Sequence, residues 1–347
     1  MKTLKNMLFA LVASSLVFAN VNAGEMTLNG SMEVAINKAD GTTGNPIGLE
    51  NEMDIVGSTE LDNGIGVAYK MTIDATTFDD EEIVFTLPYG TLAVTSTGSP
   101  LDANDQIVPT AFEEAEYGAG TGYIDASQFS GNGSMGLRYS NTFYGVSVDA
   151  MYTPQYSSGD GSTDSGPTAT VNANYGAVEE IVLKADPLAL VGLEGSSLMV
   201  GYGKVERLVA NLNDPETGTA AFTYSYGPLS LGVQKTGVSY GNFGTAKATG
   251  VSWAKNTTIG AAFAVNDQLS VSYQETDSYR SNMSATGTAG LAGGASRDGV
   301  ELQADTISVA YTIGGLSIKY ADSSVTNDTY TSATDGSLTT LSIGIAY

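Results

Sequence analysis

From residue 25 onward, apolar side chains recur at every second position in a series of short runs. In residues 25–37, Met26, Leu28, Met32, Val34 and Ile36 alternate with Glu25, Thr27, Asn29, Ser31, Glu33 and Asn37. In residues 338–347, Leu341, Ile343, Ile345 and Tyr347 alternate with Ser342, Gly344 and Ala346. A repeat of two places one set of side chains on each face of a strand, so the two faces meet different solvents. A last strand leaves an unpaired edge unless something closes on it. The first run is its natural partner, which predicts one sheet closed on itself with these two strands as the seam.

The runs between them read as hairpins. In residues 49–61, Met53 and Ile55 oppose Glu52, Asp54, Ser58 and Glu60, and Asp62-Asn63-Gly64 is a strong turn signal. The return run puts Val67, Tyr69, Met71 and Ile73 on one face and Ala68, Lys70, Thr72 and Asp74 on the other. Residues 82–97 fold back at Pro88-Tyr89-Gly90. After an irregular stretch over residues 98–133, Leu137 and Tyr139 resume the pattern with Arg138 opposite them. Val146, Val148 and Tyr152 follow, with Ser147 and Asp149 on the other face. Residues 168–203 are less regular and read as one irregular strand, or two pieces of one, before Leu198, Val200 and Tyr202.

Tight turns fall near residues 62, 89, 143, 190, 227, 266 and 314. Long polar connections fall at 38–48, 75–81, 98–133, 153–167, 204–218, 236–248, 275–304 and 321–337. Seven short and eight long connections in strict alternation imply sixteen strands, with short turns at one rim and long loops at the other.

Composition sharpens this picture. The chain has 347 residues, no cysteine, no histidine, a formal charge of −24 and only 15% charged residues. About 25% would be usual for a soluble chain. The 42 glycines follow no fixed period and suit many turns. Lys2 and Lys5, the apolar stretch 7–19 and Val21-Asn22-Ala23 form the three parts of a secretory signal peptide. The expected division is therefore a signal peptide at 1–23 and a single barrel domain at 24–347. Without Lys2 and Lys5, 12 basic residues remain against 38 acidic ones. No later segment is apolar for long enough to form a membrane helix, but barrel strands need only ~9–11 residues.

A soluble sandwich would also alternate. Three features favour a transmembrane antiparallel β-barrel, an all-β fold. The polar faces carry Glu33, Glu52, Asp54, Lys70, Arg138 and Asp149, which suit a wet lumen and not a dry core. Tyr69, Tyr89, Phe143, Tyr144, Tyr152, Tyr202, Tyr226, Tyr311, Tyr320 and Tyr347 sit at strand ends, where interfacial girdles form. In lipid, every backbone donor must pair within the protein, so a sheet has to close.

The signal peptide, the opening GEMTLNGSMEVAIN, the acidic loop after the fifth strand, the basic residue on the next strand and the ending LSIGIAY resemble the general porins of Gram-negative outer membranes. The resemblance implies residence in the cell outer membrane, a homotrimer of sixteen-stranded barrels and a third external loop folded into the lumen. Carried over by position, loop 98–133 would supply the constriction acids Asp102, Asp105, Glu113, Glu114, Glu116 and Asp125. Arg138 matches the facing basic position, with Lys70 beside it and Glu52 and Asp54 on the lumen wall. The family's ladder of several arginines is missing, because no arginine precedes Arg138.

The absence of histidine excludes Ser-His hydrolases and His-based metal sites, and the absence of cysteine excludes thiolate sites. Glu113-Glu114 could serve as an acid–base pair, but reads more simply as a solvated loop or pore lining. Asp160 and Asp164 do not complete a calcium loop. The negative charge rules out nucleic acid. No cofactor and no enzymatic activity are expected. The expected function is passive diffusion of small hydrophilic solutes and ions, with cations preferred. A solute-specific channel, with Tyr117 and Tyr123 stacking on a sugar, and a plugged structural or adhesive barrel are the alternatives.

Overall fold

The computed structural model describes residues 24–40, 44–74, 77–112, 126–131, 133–156, 174–210, 212–241, 253–280 and 300–347. The first hairpins are built from β1 (Glu25–Ala39), β2 (Ile47–Glu60), β3 (Gly66–Asp74), β4 (Thr77–Leu87) and β5 (Gly90–Thr95). After the long inner loop come β6 (Gly136–Phe143), β7 (Val146–Thr153), β8 (Tyr175–Ala185) and β9 (Ser196–Arg207). The next four are β10 (Glu216–Tyr226), β11 (Leu229–Ser239), β12 (Trp253–Ala264) and β13 (Leu269–Arg280). The last are β14 (Leu302–Ile313), β15 (Leu316–Thr326) and β16 (Gly336–Ala346). Each strand pairs antiparallel with its sequence neighbours, and β1 pairs with β16, so the sixteen close into a barrel. The seam register runs from Ser31↔Ala346 through Val34↔Ile343 to Ala39↔Leu338.

The two faces sort as the alternation predicts. Leu28, Leu49, Met53, Leu137, Val200, Ile307 and Ile343 lie on the outside and are exposed. Glu33, Lys70, Arg138 and Lys319 point inward and find polar partners there. This is the reverse of a soluble core and is the arrangement lipid requires. Aromatic rings mark the rim of short turns: Tyr89, Tyr144, Tyr226 and Tyr347 are all highly exposed. The β6–β7 turn is two residues long. Tyr144 and Gly145 both have positive φ, 50° and 83°, which matches the twist of a tight hairpin.

The expected connection 75–81 is strand from residue 77, since β4 begins at Thr77. The expected loops 204–218, 236–248, 275–304 and 321–337 also shorten, because β9, β11, β13, β14 and β15 extend further than the apolar pattern. The reason is visible on β13 and β14. Beyond Tyr273 and Ile307 the outward positions carry Glu275, Asp277 and Asp305, while the inward positions carry Gln274, Thr276 and Ala304. A strand end wet on its outer face loses the apolar alternation yet keeps its ladder. Tyr273 marks the change of solvent, its hydroxyl donating to Asp305 Oδ1 at 2.5 Å. At the same rim, Asp214 accepts from Lys204 Nζ and from the Arg207 N–H, and both hold its carboxyl below the usual range. The stretch 168–203 resolves into β8 as one strand with a shifted register between Tyr175 and Val178. Residues 168–173 lie outside the described residues.

Candidate functional site

What fills the barrel is its own chain. After β5 the backbone turns inward and a short 3₁₀ turn, Asp102–Asn104, brings Leu101 against the wall. Leu101 is fully buried among Val182, Met199 and Ala221. It fits because the wall positions beneath it are Gly201 and Gly203. A Cβ on Gly201 would stand 2.9 Å from Leu101 Cδ2, and one on Gly203 would collide with Leu101 Cδ1. The segment then runs along β11 to β14. Gln234 Nε2 donates to the carbonyls of Asn104 (3.0 Å) and Asp105 (2.9 Å), and Gln234 Oε1 accepts from the Ile107 N–H (2.8 Å). Pro109 lies over Gly232 and Val108 over Gly260, both sites where a Cβ would not fit. The Ala111 and Phe112 N–H groups donate to Ser272 Oγ (2.8 Å) and Ser308 Oγ (3.2 Å). Small and hydroxylated wall residues therefore form a track on which backbone donors and acceptors are satisfied.

The returning limb is anchored separately. Phe129 is buried among Val178, Val205, Val238 and Ala254, and the Gly131 N–H donates to Glu180 Oε1 at 2.8 Å. Among the described residues, the inner loop thus packs on the wall from β7, where Gly131 approaches Thr153, to β15, where Phe112 meets Ala321, and leaves the inner face of β1 to β4 uncovered.

That open arc is acidic. Glu33 on β1, Glu50, Glu52 and Asp54 on β2, Asp74 on β3 and Glu82 on β4 share the inner face, as the registers Glu33↔Glu50, Glu52↔Asp74 and Lys70↔Glu82 require. The bases facing them are each held by a wall carboxylate. Lys70 Nζ lies 3.1 Å from Asp54 Oδ1, which also accepts from Thr72 Oγ1 at 2.7 Å. Arg138 grips Asp149 with two bonds, Nε to Oδ1 at 2.9 Å and Nη2 to Oδ2 at 2.5 Å. Lys319 Nζ lies 3.2 Å from Glu33 Oε2 and 4.9 Å from the centre of the Phe112 ring. With their charge answered locally, these bases leave Glu50, Glu52 and Glu82 without an ion pair of comparable length among the described residues.

The predicted site residues separate into groups. Lys70, Glu52 and Asp54 come together on β2–β3, with Asp74 and Asp80 nearby. Arg138 sits one strand pair away with Asp149. Asp102 and Asp105 lie on the inner loop at and just after its 3₁₀ turn. Glu113, Glu114, Glu116 and Asp125 lie outside the described residues, as do Asp160, Asp164, Tyr117 and Tyr123. Lys319, Gln234 and Glu50 were missed as site residues. The first was within reach, because Ile318 and Tyr320 on the apolar face force Lys319 inward. Gln234 could be placed inward by the same parity from Leu231 and Val233, but nothing local marks it as the anchor of a loop 127 residues away in the sequence. Among the described residues, no cluster of three or more Asp or Glu side chains is arranged to hold a metal ion.

A closed sixteen-stranded antiparallel barrel, apolar outside, acidic inside and narrowed by a loop from its own chain, defines a membrane pore protein. A family model described as Gram-negative porin matches residues 8–305; the chain belongs to that family and is an outer-membrane porin. No curated protein matches the sequence. Among solved structures, OmpT of Vibrio cholerae, an outer membrane protein folded in vitro, is 10% identical over 95% of this chain and 100% of that chain, with a TM-score of 0.65. Its trimer form is 9% identical over 94% and 100%, with a TM-score of 0.65. The anion-selective porin from Comamonas acidovorans is 14% identical over 94% and 100%, with a TM-score of 0.61. At these identities the likeness is one of fold.

Proposed function

We propose that the barrel is a passive, non-enzymatic channel for small hydrophilic solutes and ions, and that it prefers cations. The observation that carries this reading is the charge of the inner wall of β1 to β4, where among the described residues Glu50, Glu52 and Glu82 have no ion pair while Lys70, Arg138 and Lys319 are each held by an acid. In a low-dielectric tube such a wall concentrates cations and repels anions, over a screening length of ~8 Å at physiological salt. Selectivity should therefore fade as salt rises. In planar bilayers under a KCl gradient, the reversal potential is expected to favour K⁺ strongly in dilute salt and weakly in molar salt. A reversal potential favouring Cl⁻ would overturn the cation preference.

The mature chain is proposed to begin at Gly24, after a cleaved signal peptide at 1–23, and to assemble as a homotrimer. The outer wall supports the assembly. The outward positions of β1 from Met26 to Ile36 and of β2 from Ile47 to Ile55 carry no charge, whereas those of β8 to β14 carry Glu179, Lys204, Lys235, Lys255, Glu275 and Asp305. The uncharged arc suits contact with sister barrels. The trimer form in which the Vibrio cholerae protein is described supports the same reading.

A further inference from the structure

We infer that the loop-side mouth of the passage contains a subsite for small organic ammonium ions, solutes that join one positive charge to a short apolar body. The inference rests on the cation-preferring reading above and goes beyond it by naming a solute class. A cavity of about 760 Å³ opens between β1, β2 and β16 and Phe112 of the inner loop. Its lining includes Glu33, Ala35, Pro46, Glu50, Phe112 and Leu338.

The ladder sets the order of these groups. Glu33 and Glu50 are direct partners, so their carboxylates leave the wall side by side. The next inward pair toward the loops is Ala35 and Gly48, and beyond it the Asn37 N–H donates to the Pro46 carbonyl at 2.8 Å. Gly48 has no side chain, and a Cβ built there would meet nothing within 4 Å. The result is a trough, floored by carboxylates and sided by Ala35, Pro46 and Leu338. Glu33 is bound to Lys319, while Glu50 is exposed and has no ion pair among the described residues. Lys38 also lines the cavity, but it alternates to the outward side of β1 next to Asn37. The Glu50 carboxylate is thus left without an ion pair at the bottom of a partly apolar pocket, with Lys38 nearer the loops.

Lys319 shows that the chemistry works at this place. It is an alkylammonium held between a carboxylate at 3.2 Å and a phenyl ring centred at 4.9 Å. A free amine at Glu50 would repeat the ion pair and lay its body along the trough. A hydrated inorganic cation would gain only from the charge, and a neutral solute only from the apolar side.

The test is block of K⁺ current through the purified protein in a planar bilayer, with benzylammonium added on the loop side. The expected result is saturable block by benzylammonium, with none by benzyl alcohol or ammonium chloride at the same concentration. Glu50→Gln should weaken the block about two- to fivefold, the scale of one exposed ion pair. Gly48→Leu, which changes no charge, should weaken it by filling the trough. Equal block by benzyl alcohol, or block unchanged in both variants, would overturn the subsite. The reversal potential, recorded on the same channels, separates the two readings. A preference for K⁺ without benzylammonium block overturns the subsite alone, and a preference for Cl⁻ removes the cation reading on which it rests.

Discussion

Replacing Gly203 with leucine should lift the inner loop off its wall and raise the open-channel conductance. Leu101 is fully buried and sits directly over Gly203, with no room for even a Cβ between them. The four carbons of a leucine side chain must push Leu101 out or displace β9, and β9 is held by ladders on both sides. Overpacking of this kind costs about 1–3 kcal/mol. Because about 1.4 kcal/mol is tenfold in an equilibrium, the undocked population should rise roughly 5- to 150-fold. The loop would then sample the lumen, so current traces should show larger and noisier openings. Gly218→Leu is the control, since Gly218 lies on the outer face of β10 where a Cβ meets nothing within 4 Å. Unchanged conductance in Gly203→Leu would mean that the docked segment does not restrict the passage.

The second large effect concerns the seam. Beyond the β1–β16 ladder, Gly30 and Tyr347 exchange both backbone hydrogen bonds, each at 2.9 Å. The Tyr347 ring covers Gly30 so closely that a Cβ there would stand 2.6 Å from it. Gly30→Pro removes the N–H that donates to the Tyr347 carbonyl and should open this last pair. In a bilayer, each backbone group left unpaired costs several kcal/mol. Denaturant unfolding of the protein in lipid vesicles should therefore show a clearly lowered midpoint. Tyr347→Ala keeps the backbone pair and loses only the ring contact, so its midpoint should fall less. A Gly30→Pro midpoint equal to wild type would mean that this corner of the seam does not hold the barrel closed.

The sequence made the barrel legible because a strand between lipid and water needs opposite chemistry on its two faces. The strands that carry Val34 and Ile343 could be paired across the whole chain from that requirement, whereas the register that makes these two residues partners came from the ladder itself. The requirement lapses where strands leave the lipid. Asp80 and Glu81 hid the start of β4, and Glu275 and Asp277 hid the end of β13, because water on both sides imposes no alternation. The inner loop was legible as long and acidic, but its path was not. That path depends on gaps at Gly203, Gly232 and Gly260 and on single donors such as Ser272, which resemble any other small residue until a distant segment lies over them. The charges were visible one by one as Lys70, Asp54, Arg138 and Asp149. Their cancellation in pairs, on which the cation preference depends, needed the register between neighbouring strands.

With no native cysteine, a single introduced one reports its own surroundings without interference. Glu52→Cys places a thiol on the inner wall and Ile343→Cys places one on the outer wall. The decisive measurement is the K⁺ current of each variant while a positively charged, membrane-impermeant thiol reagent is applied. At Glu52→Cys the current and its cation preference should fall as the reagent reacts, and at Ile343→Cys neither should change. Rapid reaction at residue 343 with no response at residue 52 would show that the acid-lined face is not the one exposed to the permeating solution.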